Sequence, residues 1–257
     1  MPNFVHRPLG RHTVLFAIAC VAVLVVLAVT GVSVSDAAKA PKPAKAPVAP
    51  ITVLGASSQS ANAACPADPC QAIGRVSGFE TAIGGARNPF VAPYDGRIVA
   101  WSLKLSAPTE KQSDFFTSFY GGPPKAQIVV LKPGKGKKKQ AFIARTASPV
   151  ENLSGLLGTT TTFALHQPLP VRRGQVVALS IPTWAPAFAI GLPKGNNWLA
   201  SRKTGKCNDT NDIKDGSAHN APGQRRTYGC TYTTARLLYS ATLVRSALPA
   251  APKKTTK

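Results

Sequence analysis

The sequence predicts an all-β protein: a single antiparallel β-sandwich ectodomain of jelly-roll-like form, behind an N-terminal hydrophobic helix and a Pro/Ala/Lys linker. Three observations predict it. Apolar and polar residues alternate over short runs through the middle of the chain, the period of half-buried strands. Glycine and proline, 21 and 23 of 257 residues, divide those runs at close intervals, which favours many short strands over helices. Four cysteines, at 65, 70, 207 and 230, lie beyond the N-terminal apolar run, and an even number in an exported chain reads as two disulfides.

The first element is an uninterrupted apolar run that begins at Thr13 and ends at Val34, behind a leader carrying Arg7 and Arg11. An uncharged stretch of this length can cross a bilayer as a helix, with its basic leader left in the cytoplasm. Residues 1–35 are expected to be a signal-anchor or a signal peptide. The run exceeds the roughly 7–15 apolar residues of a cleaved signal, which favours the anchor, while small residues at 35–40 keep cleavage as the alternative. The expected location is the cell membrane, single-pass with an extracellular domain, or the exterior if the segment is cut. Cys20, inside the run, reads as a small buried hydrophobe. Residues 36–50 alternate Ala, Pro and Lys, a composition that builds an extended linker rather than a core. The sandwich is expected over 51–248, followed by a disordered basic tail at 249–257.

Within the domain, strands are predicted at 73–79, 97–106, 127–132, 140–146, 161–165, 176–181, 188–190 and 236–244. The run 97–106 is the plainest: Val99, Trp101, Leu103 and Leu105 share one face, Ser102 and Lys104 the other, and Tyr94-Asp95-Gly96 supplies the turn before it. Residues 132–139 form a lysine-rich hairpin loop between two strands. A short helix is predicted over 113–120, capped by Ser113 and stopped by Gly121. Local pairing joins Cys65 to Cys70 and Cys207 to Cys230. A zinc site would need C-x-x-C or Cys/His spacing, which neither pair has.

The segments 90–101 (FVAPYDGRIVAW), 128–131 (IVVL) and 169–179 (LPVRRGQVVAL) together resemble those of exported actinobacterial proteins with a jelly-roll-like sandwich. The shared features are a Pro-x-Asp-Gly turn into a Trp-bearing strand and a Pro-Val-x-x-Gly turn into a later one. The resemblance covers roughly 89–244 and implies a fold, with no activity and no site residues attached.

Charge gives the first functional expectation. With 31 Lys plus Arg against 10 Asp plus Glu, the formal charge is +21, and such a molecule is drawn to polyanions. Outside the cell these are acidic envelope polymers, lipid headgroups or acidic polysaccharides, so nucleic acid is not the expected partner. Lys132, Lys135, Lys137, Lys138 and Lys139 form a dense positive projection on the hairpin and are candidate ligand-binding residues. Trp184 and Trp198 fall in Pro-, Gly- and Asn-rich stretches, where loop-borne rings can stack on sugars, and are candidates for carbohydrate.

No catalytic, cofactor or metal residue is nominated. Ser154 lacks the leading glycine of a G-x-S-x-G elbow. His166 reads as a strand-end residue, and the carboxylates Glu80, Asp95, Glu110, Asp114 and Glu151 are scattered between strands. The glycines around Lys135 match neither a dinucleotide fingerprint nor a P-loop. The polar stretch 208–216 is rich in oxygen ligands, but Ile213 stands where an EF-hand loop needs oxygen, and a loop stapled by Cys207 and Cys230 is the simpler reading. The expected function is therefore non-catalytic binding of an anionic or carbohydrate envelope component. An extracellular polysaccharide hydrolase and a purely structural envelope protein are the alternatives.

Overall fold

The computed structural model describes residues 50–135 and 140–248. The apolar run from Thr13 to Val34, most of the linker, Lys137, Lys138, Lys139 and the tail at 249–257 lie outside the described residues.

In chain order the first strands are β1 (Ile51–Leu54), β2 (Ile73–Ile83), β3 (Ala86–Arg87) and β4 (Gly96–Lys104), followed by helix α1 (Glu110–Tyr120). Next come β5 (Lys125–Pro133), β6 (Ala141–Ala147), β7 (Glu151–Asn152), β8 (Thr160–Val171) and β9 (Val176–Ala185). The chain continues through β10 (Phe188–Ala189), β11 (Asn197–Ala200), α2 (Thr210–Lys214), β12 (Arg225–Thr227), β13 (Cys230–Thr233), β14 (Arg236–Leu237) and β15 (Tyr239–Arg245). All eight predicted strands are present. The last is split in two at Leu238, and β8 and β9 run several residues further than their apolar cores suggest.

Every strand pairing is antiparallel. One sheet runs β1-β15-β4-β8 and the other runs β12-β6-β5-β9-β2-β11-β13, with β3 and β7 as side pairs and β10-β14 as a separate ribbon. Among the described residues strand β8 pairs only with β4, and this edge position is what allows Pro168 and Pro170 in a strand, since a proline cannot donate to a second neighbour. In the second sheet, β5 and β9 are central and read as continuous apolar runs because they are buried on both faces.

The two sheets close on one apolar core. Ile98, Trp101, Leu103 and Leu243 from the first meet Val76, Phe79, Ile128 and Leu179 from the second. Phe90 stacks on Tyr239 with centroids 4.1 Å apart, and the Tyr239 hydroxyl crosses the sandwich to donate to the Val177 carbonyl at 3.0 Å. Strand β4 corrects one detail of the expected pattern. Val99 sits at a bulge where the register to both neighbours shifts, so Ile98 is fully buried in its place while Trp101 and Leu103 remain inward.

Helix α1 ends where expected, at Gly121 in the left-handed region (φ 72°), but begins three residues before the predicted cap Ser113. Thr109 is the N-cap: its hydroxyl accepts from the Gln112 amide while the Gln112 side chain accepts from the Thr109 amide at 2.8 Å. This reciprocal pair outcompetes Ser113, whose amide already donates to the Thr109 carbonyl at 2.9 Å inside the first turn. Phe116 and Tyr120, four residues apart, form the buried face of the helix, and Phe116 packs on Trp184.

Candidate ligand-binding concavities

Both expected disulfides are formed, Cys65–Cys70 and Cys207–Cys230. Each ends beside the same cavity. Gln71 and Ala72, which follow Cys70, line one side; Asn208, which follows Cys207, and Tyr232, two residues after Cys230, line another. The cavity encloses about 300 Å³. Its walls are apolar, with the rings of Tyr120, Phe188, Trp198 and Tyr232 beside Ile73, Ile190 and Ile213, and among the described residues Arg202 is its one charged lining residue.

The register of the second sheet places these side chains. Trp198 on β11 is directly opposite Tyr232 on β13, and the rings stack with centroids 4.6 Å apart. Phe188 meets Trp198 edge-on. On its β2 side Trp198 needs a glycine, because a Cβ on Gly78 would lie 2.6 Å from the indole. The Tyr232 hydroxyl donates to the Cys207 carbonyl, which ties the disulfide loop to the cavity wall. Burial pushes the Tyr120 and Tyr232 phenols above their ordinary range, with the Arg202 charge opposing the rise at both.

Arg202 is nine-tenths buried and donates from Nη2 to the Gly74 carbonyl at 3.2 Å. Its Nε and Nη1, and the indole Nε1 of Trp198, have no hydrogen-bond acceptor among the described residues.

Arg202 also lines a second concavity, of about 240 Å³, where Arg75, Lys203 and Arg226 join it against Asp212 and Asp215. Arg75 is held by a bulge in β2 with left-handed backbone (φ 49°), and its Nε donates to the Tyr120 carbonyl at 3.0 Å. Arg226 donates to the Ser217 hydroxyl at 2.7 Å. Behind that wall His219 is fully buried. The Gln224 carbonyl can only accept, so Nε2 carries the proton toward it at 2.8 Å, and Nδ1 accepts from the Tyr228 hydroxyl at 3.3 Å. Burial pushes His219 below its ordinary value and keeps it neutral.

The sequence-nominated residues divide between these places. Trp184 and Trp198 are on strands β9 and β11 and are buried, which corrects their assignment to exposed loops; the prolines and glycines around them end strands that the central sheet already covers. Trp184 packs under α1, its Nε1 donating to the Gly122 carbonyl at 3.1 Å. Trp198 does line the aromatic cavity. Lys132 and Lys135 are exposed on the β5–β6 hairpin as expected. Register puts Lys132, Ile143 and Arg225 in one row across β5, β6 and β12, so the hairpin charge continues to the strand that carries Arg226.

In the polar stretch 208–216, Asp209 caps α2: it accepts from the Asn211 and Asp212 amides, and Lys206 lies 3.1 Å from its other oxygen. His166 is exposed on β8, and the Ser154 hydroxyl donates to Asn152. Arg202 and Tyr232 carried no motif; the one signal pointing to them was their closeness in sequence to the second cysteine pair. Compared with family models, curated proteins and solved structures, the chain matches none of them.

Proposed function

We propose that the protein is an exported, non-catalytic component of the cell envelope that binds an anionic polymer through its cationic surface. The observation that carries this reading is the concavity in which four cations, Arg75, Arg202, Lys203 and Arg226, face two carboxylates, next to a hairpin that adds Lys132 and Lys135. Among the described residues the ion pairs join Arg172 to Asp95, Lys203 to Asp212, and Lys206 to Asp209 and Asp212, while the whole chain carries 31 Lys plus Arg against 10 Asp plus Glu, so cations exceed the carboxylates that could neutralise them. Two disulfides and the apolar N-terminal run support an extracellular setting. In that setting the available polyanions are acidic polysaccharides, phosphate-bearing polymers and headgroups.

The test is retention of the folded protein on alginate and on polyphosphate, with neutral dextran as control. The acidic polymers should retain it and dextran should not, and added salt should release it, because exposed charges more than about 10 Å apart are screened at 0.1 M. Lys203→Ala combined with Arg226→Ala should weaken retention. Equal retention on dextran, or retention indifferent to salt, would overturn the reading. Release of shortened chains from either polymer would replace it with the hydrolase alternative.

A further inference from the structure

We propose that the aromatic cavity framed by the two disulfides binds a single sugar ring carrying a carboxylate. This goes beyond polymer binding at the surface and uses a different set of side chains, with Arg202 alone facing both.

The chemistry follows from what the walls offer and what they lack. Four aromatic rings and a volume of about 300 Å³ suit a small cyclic ligand, at the lower end of the range of small-molecule sites. Arg202 is the one charged side chain among the described lining residues, and its charge is felt at the Tyr120 and Tyr232 phenols of the wall. With no carboxylate among the described lining residues to balance it, the cavity favours an anion, and a carboxylate carried on a ring meets both the charge and the aromatic walls. The rim is neutral and polar, with Gln71, Asn208, Thr233 and Thr234 placed to meet hydroxyls. An apolar acid would leave that rim unused, and a neutral sugar would leave Arg202 unanswered. Both disulfides end at the walls, so the site is held open rather than assembled on binding.

The experiment is calorimetric titration, with tryptophan fluorescence as a second readout, of the intact disulfide-bonded protein with sodium glucuronate, glucose and benzoate. Glucuronate should bind at least about tenfold more tightly than either comparator, the usual worth of a charge-assisted contact. Arg202→Gln removes the charge and should weaken glucuronate about tenfold or more. Asn208 is exposed, so Asn208→Asp should fold normally; its added charge should weaken glucuronate severalfold, which keeps the test decisive if the buried variant does not fold.

Equal affinity for glucose, preference for benzoate, unchanged affinity in Asn208→Asp, or no binding of glucuronate by about 10 mM would each overturn the proposal. The Lys203→Ala, Arg226→Ala pair should leave glucuronate affinity unchanged while it lowers polymer retention, so the two readings fail separately.

Discussion

Glu80 on β2 is almost completely buried, and its Oε1 accepts from the Leu237 amide at 2.6 Å while Oε2 has no partner. Burial pushes its carboxyl from 4.5 up to about 8, against the opposing pull of its own and the Leu237 amides and of Arg236. The folded protein therefore holds a proton that the unfolded chain gives up above about pH 4.5. This contribution is fully present in acid and is lost as pH rises toward 8, with a slope of at most about 1.4 kcal/mol per pH unit. Glu80→Gln retains the acceptor for Leu237 and should flatten that dependence; urea unfolding of both proteins at pH 6 and pH 8 checks it, and equal slopes would contradict the assignment. Sequence reading placed Glu80 among scattered carboxylates. Its alternation on β2 gives no warning, because both faces of that strand are covered only once the second sheet has formed.

At the scale of elements, β2 and β11 meet so closely that one glycine decides their spacing. A Cβ at Gly78 would stand 2.6 Å from Trp198 and 3.1 Å from the Leu199 carbonyl, so Gly78→Ala must displace the indole or separate the strands. Overpacking of this kind costs about 1–3 kcal/mol, and denaturant titration should show that loss. Gly155→Ala, where no atom lies within 4 Å of the new methyl, is the neutral control. Apolar alternation located the long strands in the sequence. It missed β1, β3, β7, β11, β12 and β13, which are two to four residues long, too short to show a period, and acquire their strand character from neighbours. Helix α1 was legible through Gly121 at its end, whereas its start depended on Thr109 and Gln112 finding each other, a reciprocal contact that Ser113 imitates in sequence.

Across the whole molecule, the two disulfides close loops of very different length. Cys207–Cys230 closes a separation of 23 residues and Cys65–Cys70 one of 5, so loop-closure entropy makes the first worth about 3 kcal/mol and the second about 2. Replacing Cys207 and Cys230 together by serine should lower stability by about 3 kcal/mol and loosen the Asn208 and Tyr232 side of the cavity, read by denaturant unfolding and by the fluorescence of Trp198. A change no larger than that of the Cys65 and Cys70 pair would contradict this ranking. Strand periodicity, turn residues and cysteine spacing by themselves determined an antiparallel sandwich with two local disulfides and a large cationic excess, because each is set by neighbours in the chain. Only the tertiary structure decided that Trp198 is buried, that Arg202 stands between an aromatic cavity and a cationic one, and that all four cysteines frame one place. Those facts depend on register between strands far apart in sequence, and pairing energies across a sheet leave no periodic mark on either strand alone.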